Sequence, residues 1–401
     1  MRFLFFLSAG MASFNIPIFF GTLKRLSAFF LVFYVIYIFV CRGVAKLNKA
    51  FLTVICFWFL FFLSTLLGVV DNGIISSVPF TIFFTFFIVF VFSISASSNN
   101  KSYFVFGGDD AFRALFILNF ICFIYLFSIV DYDLSNVNVL RWYLVNKEIP
   151  INSTFNQVFF LLVLNVVVFF YIKSIFLKKA FVVCCCVLLC IFIVFSLSRQ
   201  NLLALVLFFV FYGFFSFKFS CFKVFRVLFF LFVTLFFVVF LYYFFDSGSY
   251  FNYIFSRLER SVQQLSSPDY VRFRQFFDSF LVGLENPFFG LGVGGFYDFA
   301  IMNNYSPHSA SPEAAFNQLS SEHGIFLLIY FIFIYSLMVA NLIYMKRKEE
   351  DYKAVFFIDL NLSLLCSCFF LSFFNEIHIQ SSMWILYILL MKMTFSFSSQ
   401  G

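Results

Sequence analysis

Uninterrupted apolar stretches, each about as long as a membrane helix needs to cross a bilayer, recur from one end of this chain to the other. Lipid offers no partner to a backbone N–H or C=O, so stretches of this length read as helices that satisfy those groups internally. The residue balance agrees, with 63% hydrophobic and 11% charged. The chain therefore reads as all-α: a polytopic transmembrane helical bundle of about twelve helices with one large external loop containing amphipathic helices. Hydropathy and breakers together place membrane helices at 3–20, 26–41, 51–70, 78–96, 111–130, 154–172, 180–198, 200–217, 227–245, 316–344, 354–374 and 383–396. Because so many equivalents follow it, Phe3 to Phe20 reads as a first membrane helix and not as a secretory signal. The 77 phenylalanines carry no functional weight, since lipid-facing positions ask mainly for apolar bulk.

Orientation follows from the loops. Arg42 to Lys49, Lys173 to Lys179, Lys218 to Arg226 and Lys346 to Lys353 are short and basic, and alternation puts all four on one side with both termini. The positive-inside rule makes that side cytoplasmic; only Lys24-Arg25 fits poorly. The division is then membrane helices over 1–245, a large periplasmic loop with interfacial helices over 246–315, and further membrane helices over 316–401.

The basic residues also divide by type. Most lysines fall on the cytoplasmic side, whereas Arg25, Arg141, Arg199, Arg257, Arg260, Arg272 and Arg274 fall outside. Guanidinium presents a planar fork that binds phosphate bidentately and stays charged where the dielectric is low. An external anion, such as a pyrophosphate at the membrane surface, would use it. Neutralising Glu259, Asp269 and Asp278 is the competing reading.

The ten cysteines all fall in membrane or cytoplasmic segments, so none staples the external loop. Cys184, Cys185 and Cys186 point about 100° apart in turn along a helix and cannot cage zinc. With no Walker loop, HExxH or DxD-like pair on the cytoplasmic side, nucleotide hydrolysis and nucleotide-sugar use have no residues to support them. No metal, cofactor or nucleic-acid partner is expected.

Within the loop, Ser266-Ser267-Pro268-Asp269 predicts a helix start, and Asn286-Pro287 its end just after Glu285. Phe273, Phe276, Phe277, Phe280, Leu281 and Leu284 recur at spacings of three and four, so this helix is amphipathic and lies on or against the membrane domain. Arg274 reaches Asp278 one turn on, which favours an ion pair. Gly290, Gly292, Gly294 and Gly295 then permit backbone turns closed to other residues, and let a glycan or head group approach the chain. The run lacks the strand before and helix after that a nucleotide fingerprint requires. A second helix is expected from Ser311-Pro312-Glu313, with Glu313, Asn317, Ser320 and Ser321 on roughly one face. A polar face entering a bilayer is costly unless it lines a wet cavity, so Glu313 is a candidate base or sugar ligand.

In this order, Ser198-Arg199 opening a helix, Arg272 fifteen residues before the proline of Pro287-Phe-Phe-Gly290-Leu-Gly292, and Asn317 to Glu322-His323-Gly324-Ile325 before a membrane helix, the motifs resemble the O-antigen ligase and polymerase superfamily, including Wzy-type polymerases. The resemblance implies glycosyl transfer without a metal on the outer face of the bacterial inner membrane, with a glycan on undecaprenyl pyrophosphate as donor. It implies that Arg199 and Arg272 bind the pyrophosphate, with Arg257, Arg260, Arg274, Gly290, Gly292 and Asn317 as further substrate-binding candidates. Ligases of the superfamily carry a histidine eleven residues before the closing glycine; that position here is Glu313, with His308 a rival base upstream and His323 and His378 weaker candidates. The departure favours a repeat-unit polymerase; a ligase and a flippase for lipid-linked oligosaccharide are the alternatives. The partners so implied are the lipid-linked oligosaccharide, membrane lipid and a chain-length regulator.

Overall fold

The computed structural model describes residues 17–18, 21–22, 49–72, 82–83, 85–90, 108–129, 151–171, 176–195, 199–216, 271–305, 314–373 and 381–398, with residues 7 and 93 besides. Apart from one two-residue ladder, the elements are helices: α1 (Lys49–Asn72), α2 (Gly108–Ile129), α3 (Ile151–Tyr171), α4 (Phe176–Phe195), α5 (Arg199–Ser216), α6 (Val271–Glu285), α7 (Gly295–Met302), α8 (Ala315–His323), α9 (Ile325–Lys348), α10 (Tyr352–Leu371) and α11 (Ser381–Ser398). Residues 82–83, 85–90 and 93 are helical too, inside the span expected at 78–96. The spans expected at 26–41 and 227–245 lie outside the described residues. Among the described residues, three helical segments are long and apolar enough to cross a membrane: Phe176–Ile193, Ile325–Lys348 and Tyr352–Leu371.

Two expectations need correction. Pro17–Ile18 pairs antiparallel with Gly21–Thr22, so no helix runs through to Phe20. The single span expected at 316–344 is two helices, α8 and α9, parted at Gly324. Gly324 has φ 90 and ψ 158, a conformation that a side chain resists, and no helix can continue through it.

α10 lies against α5, α9 and α11 and is buried almost throughout. Two of its serines are satisfied within the helix: the Ser363 hydroxyl donates to the Asp359 carbonyl at 2.6 Å and that of Ser367 to the Ser363 carbonyl at 2.7 Å. The buried Asp359 carboxylate accepts from Lys346 Nζ at 2.5 Å, and the same ammonium reaches the Phe215 carbonyl at the end of α5. Asn119 of α2 and Asn165 of α3 exchange amide hydrogen bonds of 2.9 and 3.0 Å. Phe57 stands 5.5 Å from Phe331 and 5.4 Å from Trp384, ring centre to ring centre, which ties α1, α9 and α11 together. Aromatic pairs of this kind add about 0.5–1.5 kcal/mol beyond the area they bury.

Several contacts join residues that the alternation of spans puts on the same side. Ser64 meets His323 and Phe316 stacks on Phe373 at one end; Lys346 meets Phe215 and Lys178 meets Asp109 at ends assigned to the other. The up-and-down order of these helices is thus consistent with their packing.

α6 and α8 are neighbours of unusual closeness. A Cβ on Gly283 would lie 2.5 Å from the Ser320 carbonyl oxygen. Further along, one on Gly324 would lie 2.9 Å from the Asn286 carbonyl oxygen and 2.5 Å from that of Pro287. The two helices therefore run in the same direction. In an ordinary helix, alanine for glycine stabilises by about 0.5–1 kcal/mol. At Gly283 the sign should reverse, because the obstructing atom is backbone and overpacking costs roughly 1–3 kcal/mol. We expect Gly283→Ala to melt at a lower temperature than the wild type in detergent; an unchanged or higher melting temperature would contradict this packing.

Candidate functional site

The turn after α6 is shaped by what it caps. Gly290, Gly292 and Gly294 all have positive φ, at 62, 77 and 83, as the glycine spacing anticipated. Breaking the helix at Gly324 leaves the last carbonyls of α8 without their usual partners. The turn supplies replacements: the Leu291 N–H donates to the Ser321 carbonyl at 2.7 Å, and the Pro287 carbonyl accepts the Phe326 N–H at 3.1 Å, in the first turn of α9. A Cβ on Gly290 would lie 2.5 Å from both the Glu322 carbonyl carbon and the Ser321 oxygen. The backbone that Gly290 admits is therefore that of α8, in place of the glycan approach expected there. Gly292 is buried in the same turn and its carbonyl accepts from the Gly295 N–H at 3.1 Å. The glycine run, expected to have no helix after it, leads straight into α7.

Glu322, in sequence part of the Glu322-His323-Gly324-Ile325 motif, braces this arrangement through its carboxylate. It is buried, one carboxyl oxygen accepts the Gly294 N–H at 2.9 Å, and the other accepts from Gln318 Nε2 at 3.2 Å. The signal available in the sequence was an acid in a segment otherwise about to enter the membrane, since such a residue is costly without partners.

α8 is polar in sequence yet all nine of its residues are buried. It packs against α6, α7, α9 and α1. The polar face expected to line a wet cavity is thus enclosed by protein: Ser320 and Ser321 hydroxyls donate to the Phe316 and Asn317 carbonyls, at 2.8 and 2.7 Å. Asn317 Oδ1, Gln318 Oε1 and Ser279 Oγ have no hydrogen-bond partner among the described residues. The helix starts later than Ser311, for Ala314 is extended (φ −99, ψ 144) and no side chain caps the first turn.

His323, fully buried at the end of α8 and outside the span that follows, has Nδ1 3.0 Å from Ser64 Oγ and its ring 4.6 Å from that of Phe61. Burial lowers its pKa to about 3, so the ring is neutral. This is an internal packing histidine.

Arg274 is engaged in holding α6 to the end of α7. Its Nε stands 3.6 Å from Asp278 Oδ2, as the spacing anticipated, while a terminal nitrogen donates to the Asn303 carbonyl at 2.9 Å. The guanidinium also lies 4.5 Å over the Tyr305 ring, whose hydroxyl donates to Asp278 at 2.6 Å. Burial and that hydrogen bond raise the tyrosine pKa. Arg199 is the first residue of α5 and Arg272 the second of α6. Arg257, Arg260, His308 and Glu313 lie outside the described residues.

Because α6 and α8 are parallel, their N-terminal ends point the same way. α6 reaches about two turns beyond α8 at that end, counting back from Gly283 and Ser320 at 3.6 residues per turn. The helix that carries Arg272 and the segment that enters α8, directly after Glu313, are therefore held to one frame, fastened at the far end by the glycine turn. Each helix presents the positive end of its dipole on that side, about two turns apart, so each favours negative charge only near its own first turn.

Among the described residues, three helical segments are long and apolar enough to cross a membrane, and beside one of them the polar helix α8 is fully enclosed by its neighbours. Residues 184–332 match the family model described as O-antigen ligase, a stretch that takes in Arg199, Arg272, the glycine turn and α8. That match supports the O-antigen ligase and polymerase superfamily that the motifs resemble. Members of that family are glycosyltransferase-like enzymes that act on lipid-linked glycans in polysaccharide assembly, and the three helical segments long and apolar enough to cross a membrane agree with a membrane protein of that kind. No curated protein matches the chain.

Removing the Glu322 side chain would strand a buried N–H, at a cost of about 1–3 kcal/mol. Glu322→Ala should therefore lower the melting temperature clearly more than Glu322→Gln, which keeps an acceptor for Gly294; equal melting temperatures for the two variants would contradict the strut. For His323 the folded pKa lies below the ordinary 6.5, so its contribution to stability is complete above about 6.5 and falls away as pH drops toward 3. Part of the fall in melting temperature between pH 6.5 and 4 should be missing in His323→Gln, and an unaltered pH slope would refute the assignment.

Proposed function

We propose that this chain polymerises lipid-linked oligosaccharide repeat units at the periplasmic face of the inner membrane, using undecaprenyl pyrophosphate as the leaving group. The observation that carries the reading is the parallel pair α6 and α8. It holds the helix bearing Arg272 beside α8, whose first residue follows Glu313 by two positions in sequence, within the stretch that matches the family. In this account the helices of 1–245 and 316–401 form the membrane frame and the loop 246–315 carries the chemistry.

An acceptor hydroxyl of one repeat unit attacks the anomeric carbon of the growing chain. The new glycosidic bond forms as the bond to the pyrophosphate oxygen breaks and the electron pair leaves with the diphosphate. Arg199 and Arg272 bind that diphosphate and stabilise its increasing charge, with Arg257 and Arg260 as additional cations. Guanidinium suits the role because it stays cationic where water is excluded. The proton of the attacking hydroxyl passes to Glu313, or to His308. No metal is required, since fixed cations take over its electrostatic part. A chain-length regulator would share control of the product.

A second reading has one observation in its favour, the ligase description of the matching family. Against it stands glutamate at 313, where the ligases carry histidine. Purified protein in proteoliposomes should turn a lipid-linked repeat unit into a ladder of products. Arg199→Ala and Arg272→Ala should each cut the rate by about 100-fold or more, the scale of losing one stabilising group for a developing charge. No ladder from the wild type, or transfer only to lipid A core acceptor, would remove the polymerase; an undiminished ladder from both variants would remove the role of the arginines.

A further inference from the structure

Going round α6 at about 100° per residue, three faces follow one another. Gln275, Ser279, Val282 and Gly283 make the buried face, on the side of α8. Phe276, Phe277, Phe280, Leu281 and Leu284 make an exposed apolar arc, with Phe277 and Leu281 each 56% accessible. Arg274, Asp278 and Glu285 form the charged edge between the two. A helix of a water-soluble domain turns its apolar side to the core. Here the protein takes the small and polar side, and five large apolar side chains face outward.

What covers that arc can be read from where it leads. Phe288 and Phe289 are exposed in the turn that follows α6, and the Phe288 ring lies 4.9 Å from that of Phe326 in the first turn of α9. Phe326, Ile329 and Phe333 are exposed at spacings of three and four along α9, a span long and apolar enough to cross a bilayer. The outer stripe of such a span faces acyl chains. The arc leads in sequence into the exposed aromatic turn, and the Phe288–Phe326 contact joins that turn to the stripe; exposed apolar residues grouped in this way mark a surface that something covers.

We propose that α6 is embedded lengthwise in the leaflet where α9 begins, with bulk phospholipid acyl chains covering the Phe276–Leu284 arc and the charged edge at head-group level. An apolar face with charges at its border is the design of a helix that lies in the interface plane. The consequence is positional: the first turn of α6 is held at head-group depth, where the phosphate of any lipid carrier lies. The inference rests on the membrane helices and not on the sugar chemistry, so it stands or falls separately from the polymerase reading.

Full-length protein in phospholipid vesicles tests it, by fluorescence of Phe277→Trp and Leu281→Trp, each read as a difference against the unsubstituted protein. The three native tryptophans, Trp58, Trp142 and Trp384, are common to every sample, and the difference against the unsubstituted protein removes their signal. Added emission should be lost when the lipids carry bromine on their acyl chains, to the extent seen for Phe333→Trp in the α9 stripe, and should resist aqueous iodide. Two positions on one arc guard against a single variant that fails to fold. Quenching of both by iodide and not by brominated lipid would overturn the proposal. So would bromine quenching that disappears when undecaprenyl phosphate is added, since the arc would then seat a carrier lipid instead of the bulk leaflet.

Discussion

The packing of α6, α8 and the start of α9 depends on one substitution of hydrogen bonds. At Gly324 the chain gives up helical continuity, and the carbonyls so released are taken by a turn that lies more than thirty residues earlier in sequence. The Leu291 N–H on Ser321 and the Phe326 N–H on Pro287 are the two sides of that exchange. Only glycine at 290 and 324 allows the backbones to come this close. Buried backbone groups left unpaired would each cost as much as a lost hydrogen bond, so turn, α8 and the start of α9 are bound to form together. Everything proposed about the site uses the rigidity that follows: α6 cannot shift along α8 without breaking the turn, and so Arg272 cannot drift from the segment that enters α8.

Much of the helical framework was legible, because a membrane span is a long signal with one physical meaning. The helices from α1 to α5, and α10 and α11, fall where hydropathy put them, to within a few residues. The positive φ values of the glycine run and the Arg274–Asp278 pair were legible for local reasons, a missing Cβ and a four-residue spacing. What escaped was set by distant partners. Nothing in the local pattern of Asn317 to Tyr344 marks Gly324 as a break, since the reason for it is the Pro287 carbonyl. The strut role of Glu322 likewise depends on a loop amide that only folding brings near.

The inward face of α6 escaped for a different reason. An amphipathic pattern says that two faces differ, but not which solvent each one meets. In a soluble protein the phenylalanine side would be buried; beside a bilayer the protein can keep Gln275, Ser279 and Gly283 and leave the aromatic side to lipid. Phenylalanine serves both surfaces: Phe57, Phe61 and Phe331 build the core while Phe120, Phe214 and Phe333 are exposed on apolar helices.

The account's central claim is that guanidinium groups from α5 and α6 act on one diphosphate. A double-mutant cycle on Arg199 and Arg272, read as affinity for undecaprenyl pyrophosphate in detergent, addresses it without requiring turnover. Residues that share a ligand couple, by about 0.5–3 kcal/mol, whereas distant independent sites add. The account predicts that each alanine variant binds more weakly and that the double variant departs from the sum of the two. Strict additivity, or affinity untouched by either change, would contradict it.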